Sequence, residues 1–170
     1  MVRDLQMLEV AHRTGADRLA KHLDRGENVV CLTLGDPTIY STFSYLQRCL
    51  ETAGYPVELV SGVPSFCAAA ARLGIPLAER DELLHVVPAA RTTESVTELT
   101  GTCVFMKSVR HIPELKAALL QAGRRAVAVL NCGMDGEQIC RTLEEIPEDA
   151  GYFTLILSRQ ENPNLENSSQ

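Results

Sequence analysis

The chain has 170 residues, 45% of them apolar and 22% charged, with a formal net charge of −6. That composition suits a soluble globular protein with one good core or two small ones. The acidic balance and 5% aromatic content argue against a nucleic-acid-binding surface, and no apolar run approaches the ~20 residues of a membrane span. The opening MVRDLQMLEVAHRTG carries charge where a secretory signal needs an apolar stretch, so a cytoplasmic location is expected. Six cysteines, at 31, 49, 67, 103, 132 and 140, form no CxxC pair, and reduced, mostly buried thiols are expected. His12, His22, His85 and His111 show no ligand spacing, so no metal site is expected.

Taken in order, Leu5, Leu8 and Ala11 fit a helical face weakly. Residues 16–24 are a better helix, with Leu19, Ala20 and Leu23 apolar and Gly26 as a stop. Residues 29–34, VVCLTL, are β-rich and uncharged, and read as a strand buried on both faces as in a parallel sheet. It stops at Gly35-Asp36-Pro37. Ser41 or Thr42 can then cap a helix whose face holds Phe43, Leu46, Leu50 and Ala53 and which ends at Gly54. Residues 56–60 read as a second strand, 61–65 (SGVPS) as a second Gly/Pro turn, and 66–73 as a helix with the small-residue run CAAAA.

Residues 83–87 read as a third strand and 88–93 as a linker, where a domain boundary is expected. A helix is expected at 92–99, a strand at 102–106 and a helix at 111–122 with Pro113 in its first turn. A buried strand at 126–130 runs into the turn NCGMDG, and the last strand is expected at 152–157. The expected organisation is α/β, with 1–87 the first domain, 88–160 the second and 161–170 a polar, disordered tail.

The chemistry-bearing residues collect where these strands end, the usual binding edge of open α/β sheets. No GxxxxGK[ST], GxGxxG or GxSxG motif is present. Asp36 can hold a polar group of a ligand, or cap its own turn, the commoner use. Ser65 can donate to a ligand or cap a helix. Met106 is a ligand contact or core. Lys107 is polar at an unexpected place, or simply solvated. Asn131 fixes its turn or reads an adenine edge, and Tyr40 walls a flat apolar ligand or packs in the core. Asp135 and Glu137 are expected to be solvated.

Two runs carry a resemblance: LTLGDPTIYSTFSYL at 32–46 and VELVSGVPSFCAAAARLGIPLA at 57–78. Together they resemble the tetrapyrrole methylases, and within them the branch that methylates C(20) of precorrin-2 in the cobalamin pathway. CVFMKSVR at 103–110 and VLNCGMDGE at 129–137 fit the same branch. The resemblance implies a two-domain α/β enzyme, usually a homodimer, with S-adenosylmethionine in the cleft between domains and the tetrapyrrole beside it. Carried over by position, Leu34, Gly35, Asp36 and Ile39 approach the cofactor from the first domain, and Pro64, Ser65 and Phe66 form a second wall. Met106, Asn131 and Cys132 come from the second domain, with Thr154 and Leu155 as further candidates. Tyr40 and Lys107 are the candidates for the substrate. The family begins with a strand and a turn, roughly GxGPGD. Residues 1–28 hold nothing like it, so the first part of the first domain is expected to be missing.

The activity implied is methyl transfer from S-adenosylmethionine to C(20) of precorrin-2 or cobalt-precorrin-2. Such a reaction needs alignment more than a strong base, and no acid or base is assigned. The alternative is a shortened, non-catalytic domain that binds nucleosides or pairs with other subunits. An unrelated doubly wound nucleotide-binding domain is a third reading.

Overall fold

The computed structural model describes residues 5–88, 96, 99–107 and 111–160. The chain divides into two compact units, Met1–Pro64 and Ser65–Gln170. The expected helix at 92–99 lies largely outside the described residues, and the tail at 161–170 wholly so.

Unit 1 is built on two helices, α1 (Leu5–Leu23) and α2 (Phe43–Thr52). Helix α1 runs unbroken through Gly15, where the sequence suggested two pieces. A mid-helix glycine costs about 1 kcal/mol of helix propensity. Here it lets the helices approach, since a Cβ at Gly15 would stand 3.0 Å from Leu46 Cδ2. His12 stacks on Tyr45 with ring centroids 4.5 Å apart, and the Arg48 guanidinium lies 5.1 Å from the same ring's centroid. Among the described residues of this unit only Ala16 and Leu50 are buried.

The strands expected at 29–34 and 56–60 do not form. Neither stretch has regular secondary structure, and Val30, Leu32 and Leu34 are 80%, 94% and 78% exposed. An apolar tract becomes a strand only when a neighbouring strand takes its hydrogen bonds and a packed layer covers its side chains. Unit 1 supplies neither among its described residues.

Unit 2 carries the core. Helix α3 (Ser65–Leu73) buries Phe66, Ala69, Ala70 and Leu73, while Ala68 is half-buried and Ala71 exposed. Five strands follow: β1 (Leu84–Pro88), β2 (Thr102–Met106), β3 (Arg124–Leu130), β4 (Gln138–Cys140) and β5 (Thr154–Gln160). Helix α4 (Ile112–Gln121), with proline in its first turn, lies between β2 and β3 in sequence. The sheet order is β1-β2-β5-β3-β4. β1 and β2 are parallel, and β5 is antiparallel to both β2 and β3. β1, expected to close the first domain, therefore belongs to the second unit's sheet, and the units divide before it. The core packs Ile112, Leu115 and Leu119 of α4 with Cys103, Phe105, Ala126, Ala128 and Ile156 of the sheet.

Arg124 is buried at the start of β3, only 4% exposed. Its guanidinium donates to the carbonyls of Leu99 (2.8 Å) and Gly101 (2.6 Å), to Ser158 Oγ (3.0 Å) and to the Ser158 carbonyl (3.2 Å). A buried cation persists only when its donors are met in this way. Of the six cysteines, only Cys103 and Cys140 are buried. Cys31 is exposed, Cys49, Cys67 and Cys132 are half-buried, and none forms a disulfide, so the thiols are less buried than composition suggested.

Candidate functional site

In unit 1 the bend at 35–36 and the bend at 62 meet. Asp36 Oδ1 accepts from the Thr38 backbone N–H at 2.8 Å and from the Thr38 hydroxyl. Its other oxygen, Oδ2, accepts from the Gly62 N–H at 2.9 Å. The Thr38 hydroxyl, then the Thr38 and Gly62 amides, hold the Asp36 carboxyl below its ordinary range. So Asp36 does what turn chemistry favours, and in addition ties the two predicted bends together. Gly62 is required there, because a Cβ would stand 2.2 Å from the Gly35 carbonyl oxygen. Leu34 is exposed, while Gly35, Ile39 and Pro64 are half-buried. Thr42 stands at the N-cap of α2 without a side-chain cap bond, while Ser41 Oγ accepts from the Phe43 N–H at 3.2 Å.

In unit 2 the register brings the strand ends together. Met106 pairs with both Pro88 and Leu155, and Leu130 pairs with Thr154. The carboxyl ends of β1, β2 and β3 thus lie at one sheet edge, with β5 starting between β2 and β3. Two strand spacings put Met106 and Leu130 about 10 Å apart. Met106, Asn131, Cys132, Thr154 and Leu155 share that edge, the first three half-buried and the last two buried. Ser65 is half-buried and Phe66 is buried at the start of α3, so the Phe66 ring is part of the packing.

Left-handed backbone occurs in two of these bends, at Gly35 and at Asn131, Gly133 and Gly136. Among the described non-glycine residues it occurs at Tyr40 (φ 51°), Arg80 (φ 54°), Lys107 (φ 59°) and Asn131 (φ 50°). Three of the four are positions that the sequence singled out. Such backbone costs roughly 1–2 kcal/mol per residue for most side chains and less for asparagine. The Asn131 N–H donates to the Phe153 carbonyl at 2.9 Å and its Nδ2 to the Gly136 carbonyl at 3.3 Å, so this side chain fixes its turn.

Glu137, expected to be solvated, is not: its side chain is 15% exposed. Oε2 accepts from the Gly133 N–H at 2.7 Å and Oε1 from Arg72 Nε at 2.5 Å. These two donors, the amide first, hold its carboxyl below the ordinary range. Burial and the neighbouring Glu137 carboxylate push the Cys132 thiol up, against the pull of Arg72. Periodicity could not find the pair, since its members stand 65 residues apart.

Among the described residues no group of His, Cys, Asp and Glu could hold a metal ion, and no helix is long and apolar enough to cross a membrane.

The chain is similar to a probable cobalt-precorrin-2 C(20)-methyltransferase of Methanocaldococcus jannaschii. The two are 38% identical over 108 residues, which is 64% of this chain and 46% of that protein. The chain thus spans about half of that relative's length. Among solved structures, a cobalt precorrin-4 methyltransferase of cobalamin biosynthesis superposes with a TM-score of 0.73 at 21% identity, over 85% of this chain and 69% of that one. A uroporphyrin-III C-methyltransferase from Thermus thermophilus, complexed with S-adenosylhomocysteine, gives a TM-score of 0.63 at 23% identity, over 84% of this chain and 70% of that one. At those identities the likeness is one of fold. Residues 1–147 match the family described as Tetrapyrrole (Corrin/Porphyrin) Methylases, and with the α/β architecture above, this chain belongs to that family.

Proposed function

We propose that this chain binds S-adenosylmethionine and directs its methyl group to C(20) of precorrin-2 or cobalt-precorrin-2, as a cytoplasmic homodimer. One observation carries the reading: β2 and β3 end at the same sheet edge, and each is followed directly by a residue with left-handed backbone, Lys107 and Asn131. Backbone bent that way at strand ends presents main-chain groups to a ligand. The name of the archaeal relative and the nucleoside bound to the Thermus structure support the choice of reaction and cofactor. The free thiols, with Cys31 exposed, suit a reducing compartment.

The chemistry of the unit 2 residues suits an adenosyl cofactor. Such a group needs an apolar wall and a few fixed polar contacts. Unit 2 offers the half-buried Met106 side chain beside Asn131 and Cys132, with Ser65 and Phe66 at the start of α3. Within unit 1, Leu34, Gly35, Asp36, Ile39 and Pro64 are further proposed contacts, in the segment where the Asp36 carboxylate ties the bends at 35–36 and 62. When bound, the cofactor supplies a methyl group activated by a positively charged sulfur. The task left to the chain is alignment and exclusion of water, and no side chain is assigned as acid or base. Tyr40 and Lys107 are the proposed substrate contacts.

Isothermal titration with S-adenosylhomocysteine, followed by incubation of precorrin-2 and cobalt-precorrin-2 with methyl-labelled cofactor, tests the proposal. Binding together with label in the tetrapyrrole is expected. A folded protein that binds no S-adenosylhomocysteine overturns it. The exposed apolar tract at 29–34 favours a second reading, a non-catalytic domain that binds a nucleoside or pairs with another subunit. Binding without transfer of label selects that reading.

A further inference from the structure

We propose that Arg72 and Glu137 form a positioning pair that sets cofactor affinity by fixing the 131–136 loop to helix α3; this rests on the cofactor reading above. Both residues lie in unit 2. The Glu137 carboxylate divides its oxygens, one taking Arg72 Nε from α3 and the other the Gly133 N–H from the loop. It is therefore a bridge between the element that begins with Ser65 and Phe66 and the turn that holds Asn131 and Cys132.

The loop joins β3 to β4. Asn131, Gly133 and Gly136 all have left-handed backbone, with φ of 50°, 71° and 76°. Its internal hydrogen bonds are short-range: Met134 N–H to the Asn131 carbonyl (2.9 Å), Glu137 N–H to the Met134 carbonyl (3.2 Å) and Asn131 Nδ2 to the Gly136 carbonyl (3.3 Å). Those bonds set the curvature of the turn. The Leu130–Gln138 pair of β3 and β4 and the Asn131 N–H bond to the Phe153 carbonyl (2.9 Å) hold the ends of the loop to the sheet, but none of these bonds reaches α3. The link from Glu137 to Arg72 does, joining a Glu137 side chain that is 15% exposed to an Arg72 side chain that is 60% exposed. Neither residue is placed against the cofactor, so their effect on it runs through Gly133 and its neighbours.

The test compares the unsubstituted protein with Arg72→Met, Arg72→Lys, Glu137→Gln and the Met/Gln double variant. S-adenosylhomocysteine affinity is read by titration, amide exchange across residues 131–137 by mass spectrometry, and melting temperature in parallel. Arg72→Met and Glu137→Gln are each expected to weaken binding by about 3- to 10-fold. Faster exchange should be confined to the loop, the double variant should be no worse than the weaker single one, and Arg72→Lys should recover most of the affinity. If the unsubstituted protein binds and all variants bind within about twofold of it, the positioning role is wrong while the cofactor reading stands. If affinity falls only in step with melting temperature and exchange rises throughout unit 2, the pair is merely structural and the proposal fails. If the unsubstituted protein does not bind, the cofactor reading fails and takes this proposal with it.

Discussion

The Gly62 N–H donates to Asp36 Oδ2 at 2.9 Å across 26 residues of sequence, so two bends that look independent in the chain are one hydrogen-bonded unit. Gly62 can approach only because it has no side chain. Its missing Cβ would stand 2.2 Å from a backbone oxygen, which cannot rotate away. Gly62→Ala is therefore expected to cost about 2 kcal/mol or more, read as a lower urea midpoint and faster proteolysis within residues 30–64. Asp36→Ala should expose the same stretch to protease, whereas Asp36→Asn, keeping one acceptor, should do so less. Unchanged cleavage in Gly62→Ala would contradict the geometry.

Acid should loosen both carboxylate anchors. The folded-state pKa of Asp36 lies below its ordinary 3.8 and that of Glu137 below its ordinary 4.5. A depressed folded value means the stabilisation is whole above the unfolded value and is lost as pH falls through the folded one. These two groups thus add no slope between about pH 7 and about pH 5, and an increasing loss below about pH 4.5. Urea titrations at descending pH should show that fall, and Glu137→Gln should flatten part of it. A midpoint in Glu137→Gln that falls as steeply as in the unsubstituted protein would rule the linkage out.

Arg124 is expected to be among the least replaceable residues of unit 2. Arg124→Met keeps the bulk but strips the donors from the Leu99, Gly101 and Ser158 acceptors. Leaving buried acceptors unmet is expected to cost about 3 kcal/mol, measured by urea unfolding. A cost under about 1 kcal/mol would show that water replaces the guanidinium.

Lys107 separates backbone strain from side-chain chemistry. Lys107→Gly should relieve the left-handed backbone at φ 59° and leave stability unchanged or raised by up to about 1 kcal/mol. Lys107→Ala keeps the strain and removes the ammonium. If Lys107 contacts the tetrapyrrole, both variants lose methyl transfer while only the glycine variant gains melting temperature. Full transfer in both would leave the residue with no chemical role.

Unit 2 was largely legible because its signals are local. Thr102–Met106 has a clear strand pattern and appears at those bounds. The helix with proline in its first turn lies within a residue of its expected ends. β3 begins two residues earlier than its apolar run suggests, because Arg124 and Arg125 hide the start and Arg124 is buried by partners distant in sequence. β4 escaped notice: three residues, two of them Gln138 and Ile139 on a partly exposed edge, carry no period. Unit 1 misled for the opposite reason. Its strand-like tracts have the right composition, yet a strand is a pairwise object, and composition does not supply the partner. At the candidate site the turns were readable from glycine, proline and asparagine, while the Arg72–Glu137 link depends on tertiary placement alone.

The bare tract at 29–34 has a consequence for handling the protein. Six consecutive residues with strong β preference, no charge and no proline, five of them exposed, form a template for cross-β stacking between molecules. Concentrated samples are expected to deposit thioflavin-positive fibrils seeded there, and a lysine gatekeeper introduced as Leu32→Lys should slow their growth.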